Sequence, residues 1–290
     1  MLTNKVNEIM TRDIVSAAAS TPALEVMEMM AAKNVGRVMI TKGQSPVGIF
    51  TEMDVLRRVM KRKSAVKHSH IQAVMTAPVY AVPQDTHIVE ALGQMYRGGF
   101  RHLLVSGNQG AIIGMVSMRR ILKLVVEVGR GLGESRTIGS IMSSDFVTVD
   151  AARSVYDTIT LMIKRNTGCV IVLSKGKANG IFTERDVLRR VIIKDIAKDI
   201  DTKKVLTRQV MTGHLVTMPQ SALVGDVLVK MYEGGFRHVP ILGNSGELVG
   251  IVSMRDVLKY AKALAIDESV RKTWKEVEQF WASEEQYMPG

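Results

Sequence analysis

GIFTERDVLRRV, from Gly180 to Val191, recurs almost letter for letter as GIFTEMDVLRRV from Gly48 to Val59; the two copies differ only where Arg185 replaces Met53. Looser copies, GMVSMRRILKLV from Gly114 to Val125 and GIVSMRDVLKYA from Gly250 to Ala261, make the chain a fourfold repeat of one strand-to-helix turn. In each copy an apolar run suited to a buried strand ends on Thr51, Ser117, Thr183 or Ser253, a hydroxyl fit to cap a helix. Three residues on stands Asp54, Arg120, Asp186 or Asp256, followed by apolar residues at helical spacing such as Val187, Leu188 and Val191. As architecture alone, T/S-x-x-D is a variant capping box. As a binding device, the helix N–H groups face a phosphorylated ligand while the carboxylate accepts both hydroxyls of a ribose. A cap would tolerate Ser, Asn or Glu, so the close recurrence of GIFTExDVLRRV asks for more than capping.

Working outward, each turn closes a unit of order strand, helix, strand, strand, helix. The first unit places strands at Ile14 to Ala17, Arg37 to Thr41 and Val47 to Phe50, with a helix capped at Thr21-Pro22. The second has strands at Val79 to Val82, Arg101 to Val105 and Ile112 to Val116 around a helix from Thr86 to Arg97. The third has strands at Phe146 to Val149, Cys169 to Leu173 and Asn179 to Phe182 around a helix from Ser154 to Lys164. The fourth has strands at Leu215 to Met218, Arg237 to Leu242 and Leu248 to Val252 around a helix from Ala222 to Tyr232. Each unit is announced by a short lead-in: Met10-Thr11, Met75-Thr76, Met142-Ser143 and Met211-Thr212. GGFRH occurs at Gly98 to His102 and again at Gly234 to His238, so units one and three match, as do two and four.

The fold class is therefore α+β, with four βαββα units. Their expected bounds are 1–64, 65–129, 130–200 and 201–266, with a basic linker from Lys61 and a glycine-rich joint, Gly129 to Gly133, at the midpoint. Units of about 60 to 70 residues hold too little core to stand alone, so they are expected to pair, 1–129 and 130–266, with sheets back to back. Residues 267–290 form a tail in which Val270, Trp274, Val277 and Trp281 share one helical face, against the chain's own module or a partner.

Hydrophobic residues make up 46% of the 290, enough for a substantial core, and 39 basic against 28 acidic residues leave a formal charge of +11 that favours anionic partners. No apolar run approaches the roughly 18 residues of a membrane span, and MLTNKVNEIM lacks a signal peptide's apolar core, so the expected location is cytoplasmic. Cys169, followed by Val170, Ile171 and Val172, reads as strand core rather than nucleophile. The six histidines are scattered, with neither a nucleophile elbow nor a GxxxxGK[ST] phosphate loop, which argues against an enzyme. A nucleic-acid binder would use the positive charge, but aromatic-rich strands, zinc-finger spacing and a clear helix-turn-helix are missing. A scaffold with vestigial sites is the third class, opposed by the retention of three acidic positions.

Residues 4 to 265 resemble the tandem CBS domains, named after cystathionine beta-synthase and called Bateman modules when paired. The resemblance rests on the V/I-M-T/S lead-in, the G-h-h-T/S-x-x-D turn and the βαββα order, and four units in one chain are similar in arrangement to the gamma regulatory subunit of AMP-activated protein kinase. It implies an adenine nucleotide (AMP, ADP or ATP) or S-adenosylmethionine in clefts between paired units, regulating an unidentified protein partner. The resemblance puts the ribose at Asp54, Asp186 and Asp256, with Thr51, Thr183 and Ser253 beside ribose and phosphate. The adenine falls against Val15-Ser16, Val147-Thr148 and Val216-Thr217, and the phosphates toward Arg37, Arg101 and Arg237, with His102 and His238 adjacent. Two departures stand out: Arg120 replaces the ribose aspartate of the second unit, where it would reach toward phosphate, and Cys169 replaces the phosphate-side arginine of the third. A homodimer is compatible with this reading.

Overall fold

The computed structural model describes residues 5–60, 69–121, 136–193 and 201–257. After a short helix α1 (Val6–Ile9), the first repeat comprises β1 (Ser16–Ala18), α2 (Ala23–Ala32), β2 (Arg37–Lys42), β3 (Ser45–Thr51) and α3 (Glu52–Asp54). The second has β4 (Ala81–Pro83), α4 (Ile88–Gly98), β5 (His102–Ser106) and β6 (Ile112–Ser117), then a helical turn over 118–121. The third has β7 (Thr148–Asp150), α5 (Val155–Lys164), β8 (Cys169–Ser174), β9 (Lys177–Thr183) and α6 (Glu184–Asp186). The fourth has β10 (Met218–Pro219), α7 (Val224–Glu233), β11 (His238–Leu242) and β12 (Leu248–Ser253), then a helical turn over 254–257. Each repeat forms one three-stranded sheet whose first pair is parallel and second antiparallel, the α+β order expected.

Three local expectations need correction. The opening strands begin later than their apolar letters imply, because Val15 and Val147 lend only a carbonyl to the ladder, accepting from Met39 N at 3.0 Å and Ile171 N at 2.9 Å. In the fourth repeat the corresponding donor position is Pro240, which has no N–H, and β10 shrinks to two residues. Thr21 is not the cap of α2: Pro22 takes that position, and Thr21 instead accepts Ile71 N–H through its carbonyl. The helices after Thr51 and Thr183 are α-wound only through the aspartate and continue as π-wound turns, Val55–Val59 and Val187–Ile192.

The chain divides into two compact bodies, with bounds at Asp13/Ile14, Val79/Tyr80, Ser144/Asp145 and Val216/Thr217. The first body holds the sheets of repeats one and three around Phe50, Phe182, Met27, Met30 and Met162; the second holds those of repeats two and four around Leu103, Val116, Met95, Met231 and Val252. The bounds of the bodies fall between lead-in and first strand because each lead-in packs with the sheet of a neighbouring repeat. Met75 lies on Gly48 and Met211 on Gly180 in the first body, Met10 on Gly114 and Met142 on Gly250 in the second, each where a Cβ on the glycine would overlap the methionine side chain. Backbone pairing seals the contact: Ile181 N donates to Thr212 O at 2.9 Å and Thr212 N returns to Ile181 O at 2.8 Å. The G of G-h-h-T and the M of V-M-T are thus two halves of one joint. Gly180→Val should destabilise the fold by about 1–3 kcal/mol through overpacking, read as a lowered denaturant midpoint at unchanged slope.

The tail at 267–290, the basic linker and the glycine-rich joint lie outside the described residues. Among those described, no helix is long and apolar enough to cross a membrane.

Candidate functional site

In the first body two turns carry the same polar constellation. Thr51 accepts Asp54 N–H on its side chain at 3.4 Å, while Asp54 Oδ2 accepts Thr51 N–H at 2.9 Å and the Thr51 hydroxyl at 2.7 Å. Thr183 and Asp186 repeat this at 3.4, 2.9 and 2.8 Å. The capping box is therefore real, and it leaves the other carboxylate oxygen directed elsewhere. Asp54 Oδ1 accepts the Thr76 hydroxyl at 2.6 Å, and Asp186 Oδ1 accepts the Thr212 hydroxyl at 3.0 Å. Arg58 and Arg190, one turn along, stand at 3.4 and 3.5 Å from the same oxygens and donate to the carbonyls of Met75 and Met211.

Reading the turn by itself missed these four residues. Their signal was present: Arg58 and Arg190 close the GIFTExDVLRR motif at helical spacing from the aspartates, while Thr76 and Thr212 belong to the V-M-T lead-ins, which only the exchanged packing brings there. Both aspartates are buried. Burial is the largest influence on Asp186 and pushes its carboxyl above the ordinary value of 3.8, outweighing the lowering effects of Thr183, Arg190 and Thr212.

The second body keeps one acidic turn. Asp256 Oδ2 accepts Ser253 N–H at 2.8 Å and the Ser253 hydroxyl at 2.6 Å, and Ser143 pairs with Ile251 where Thr76 and Thr212 pair in the first body. At the remaining turn Arg120 N–H donates to Ser117 Oγ at 3.3 Å, and the Arg120 side chain is exposed.

Sheet register revises the phosphate-side set. Arg37 stands opposite Thr51 across the antiparallel pair, and the same place opposite the cap is held by Cys169, His102 and His238 in the other repeats. Arg101 and Arg237 come one residue earlier, so they match Gly36 and Gly168 rather than Arg37: all four lend a carbonyl to the first helical N–H, of Met118, Met254, Glu52 and Glu184 respectively. The substitution is concerted. Where the second body has Arg with buried Met118 and Met254, the first has Gly with buried Glu52 and Glu184. A Cβ on Gly36 or Gly168 would lie 3.1 or 3.0 Å from the carboxylate oxygen, so glycine makes the room these acids occupy.

On the adenine side, Val15 and Val147 are half-buried beside exposed Ser16 and Thr148. Val216 is 41% exposed, and Thr217 is half-buried across a body boundary, Val216 lying in the first body while Thr217 and Asp256 lie in the second.

The family model of the CBS domain matches residues 6–61, 71–127, 138–193 and 207–263. The CBS domain-containing protein CBSCBSPB1 of Arabidopsis thaliana is 27% identical over 289 residues, covering 85% of this chain and 52% of the relative. An uncharacterised protein of Methanocaldococcus jannaschii, MJ1404, is 24% identical over 272 residues, covering 90% of this chain and 62% of its own. The chain spans about half the length of the Arabidopsis relatives it matches. Among solved structures, MJ1225 of M. jannaschii, described as a candidate archaeal homologue of g-AMPK, superposes with a TM-score of 0.77 at 16% identity, covering 88% of this chain and 99% of that one. An uncharacterised conserved protein of Pyrococcus horikoshii follows at 0.60 and 17%, covering 88% and 99%. At such identities the likeness speaks for the fold alone.

Proposed function

The chain belongs to the CBS domain family, and on that premise we propose that it is a regulatory sensor of adenine nucleotides, AMP, ADP or ATP, with S-adenosylmethionine as the alternative adenosine ligand. In this reading Asp54, Asp186 and Asp256 accept the ribose hydroxyls, and Thr51, Thr183 and Ser253 sit beside ribose and phosphate. Arg37, His102 and His238, opposite the caps, and Arg101 and Arg237 beside them supply the phosphate side. Val15-Ser16, Val147-Thr148 and Val216-Thr217 border the base, and the chain halves 1–129 and 130–266 act as the modules.

One observation carries the reading. At Asp54 and Asp186 each carboxylate oxygen already accepts a hydroxyl, one from the cap threonine and one from Thr76 or Thr212. A ribose diol offers the same two donors, so it can take the place of protein hydroxyls with little change in hydrogen bonding. The exchange also supplies an output. A diol that displaces Thr76 or Thr212 from its aspartate loosens the lead-in that joins one repeat to the next, and a regulated partner would read that movement. Calorimetry of the whole chain with AMP, ADP, ATP and S-adenosylmethionine tests the proposal; saturable binding of at least one is expected, and heats no larger than dilution for all four would reject it.

The pH dependence has a definite sign. With its folded value above 3.8, Asp186 holds its proton more tightly in the native state than in the unfolded one. The stability this contributes is fully present below the unfolded value and is lost as pH rises through the folded value. Nucleotide affinity at this turn should run the other way and strengthen over the same window, because the diol needs the carboxylate. Melting curves and titrations across that window should show opposite trends in the wild type, and Asp186→Asn should flatten both.

A further inference from the structure

The two acidic turns of the first body are joined by an ion pair that breaks their symmetry. Glu52 directly follows the cap Thr51 and its side chain is 1% exposed; Arg185 directly precedes Asp186 and is 34% exposed; Arg185 Nε donates to Glu52 Oε1 at 3.0 Å. The pair ties the turn of the first repeat to that of the third through residues adjacent to the candidate ligand contacts Thr51 and Asp186. Backbone packing supports it, because α3 lies against α6 and the π-wound turns that follow lie against each other. Arg189 adds a second tie by donating to Asn34 Oδ1. The mirror-image pair does not form. Opposite Glu184 the first repeat offers Met53, whose methyl lies 3.0 Å from where a Cβ on Gly168 would stand.

We propose that Glu52 and Arg185 couple the two turns, so that a nucleotide held at Asp186 raises the affinity for a second one at Asp54. The inference rests on the reading of these turns as nucleotide sites. A ligand clamping Asp186 immobilises the Thr183 turn, and with it Arg185. Glu52 is then held as well, and the second ligand meets a turn that is already ordered. Arg185 and Glu52 are positioning residues here; neither needs to touch the ligand. The second body cannot form this pair, since Met118 and Met254 stand at the places of Glu52 and Glu184 and offer Arg119 and Arg255 no carboxylate there.

The test is an AMP titration of the full chain in an Asp256→Ala background, which leaves the first body's turns to report. Asp186→Ala should lower the affinity at Asp54 by about fivefold or more, the usual scale of coupling between sites. In Arg185→Met that dependence should vanish. This variant copies the arrangement already present at Met53, so the fold has a precedent for it. Hydrogen exchange without nucleotide supplies an independent arm. Glu52→Gln should speed exchange at residues 183–187, and Arg185→Met at residues 51–55. Affinity at Asp54 indifferent to Asp186→Ala, or coupling that survives Arg185→Met, would overturn the proposal even if AMP binds. Faster exchange across the turns with no binding of AMP, ADP, ATP or S-adenosylmethionine would overturn the nucleotide reading and the affinity coupling with it, leaving a purely mechanical link.

Discussion

Asp186→Ala should lower the affinity of its turn for an adenine nucleotide by about 10- to 100-fold, the equivalent of roughly 1.5 to 3 kcal/mol for hydrogen bonds made to a charged acceptor. The carboxylate is buried, with two donors on Oδ2 from Thr183 and one on Oδ1 from Thr212. Alanine leaves the cap amide of Thr183 without its acceptor, so a small loss of stability accompanies the loss of binding. The two effects separate by titrating a sample whose unfolding transition lies well above the assay temperature. Unchanged affinity in that sample would return Thr183 and Asp186 to a capping role alone.

The second large effect is in stoichiometry. A saturated titration should stop at three nucleotides per chain, because the fourth turn carries Arg120. A guanidinium has only donors and cannot accept a diol. Its backbone still follows the common pattern, with Arg120 N–H on Ser117 Oγ at 3.3 Å, so the turn is built but chemically inverted. An anion remains a suitable guest. Arg120→Asp restores the acceptor and should add a weak fourth equivalent, measured by calorimetry at saturating AMP. Four equivalent sites in the wild type would contradict this account.

Much of this was legible in the letters. GIFTExDVLRRV fixed the strand-to-helix turn, its capping and its four locations, since apolar runs, hydroxyl caps and helical spacing are local signals. What escaped was non-local. Met75-Thr76 and Met211-Thr212 dock on Gly48 and Gly180 of the preceding repeat, so Thr76 and Thr212 reach that repeat's aspartates. Arg37 and Arg101 looked equivalent by residue type, and only strand pairing shows that Arg37 matches His102 while Arg101 matches Gly36. The short β10 was readable in principle, from Pro240 in the partner strand, had that strand's pairing been known. Glu52 and Glu184, adjacent to the caps, carry no local signal of burial, because the glycines that make room for them, Gly36 and Gly168, sit on another stretch of chain.

The most direct measurement is a crystal structure of the full chain grown with saturating AMP. The account predicts ribose hydroxyls within hydrogen-bond distance of Asp54, Asp186 and Asp256, Thr76 and Thr212 displaced from their carboxylates, and no nucleotide at Arg120. Nucleotide bound elsewhere, with Thr76 still on Asp54 and Thr212 still on Asp186, would contradict it.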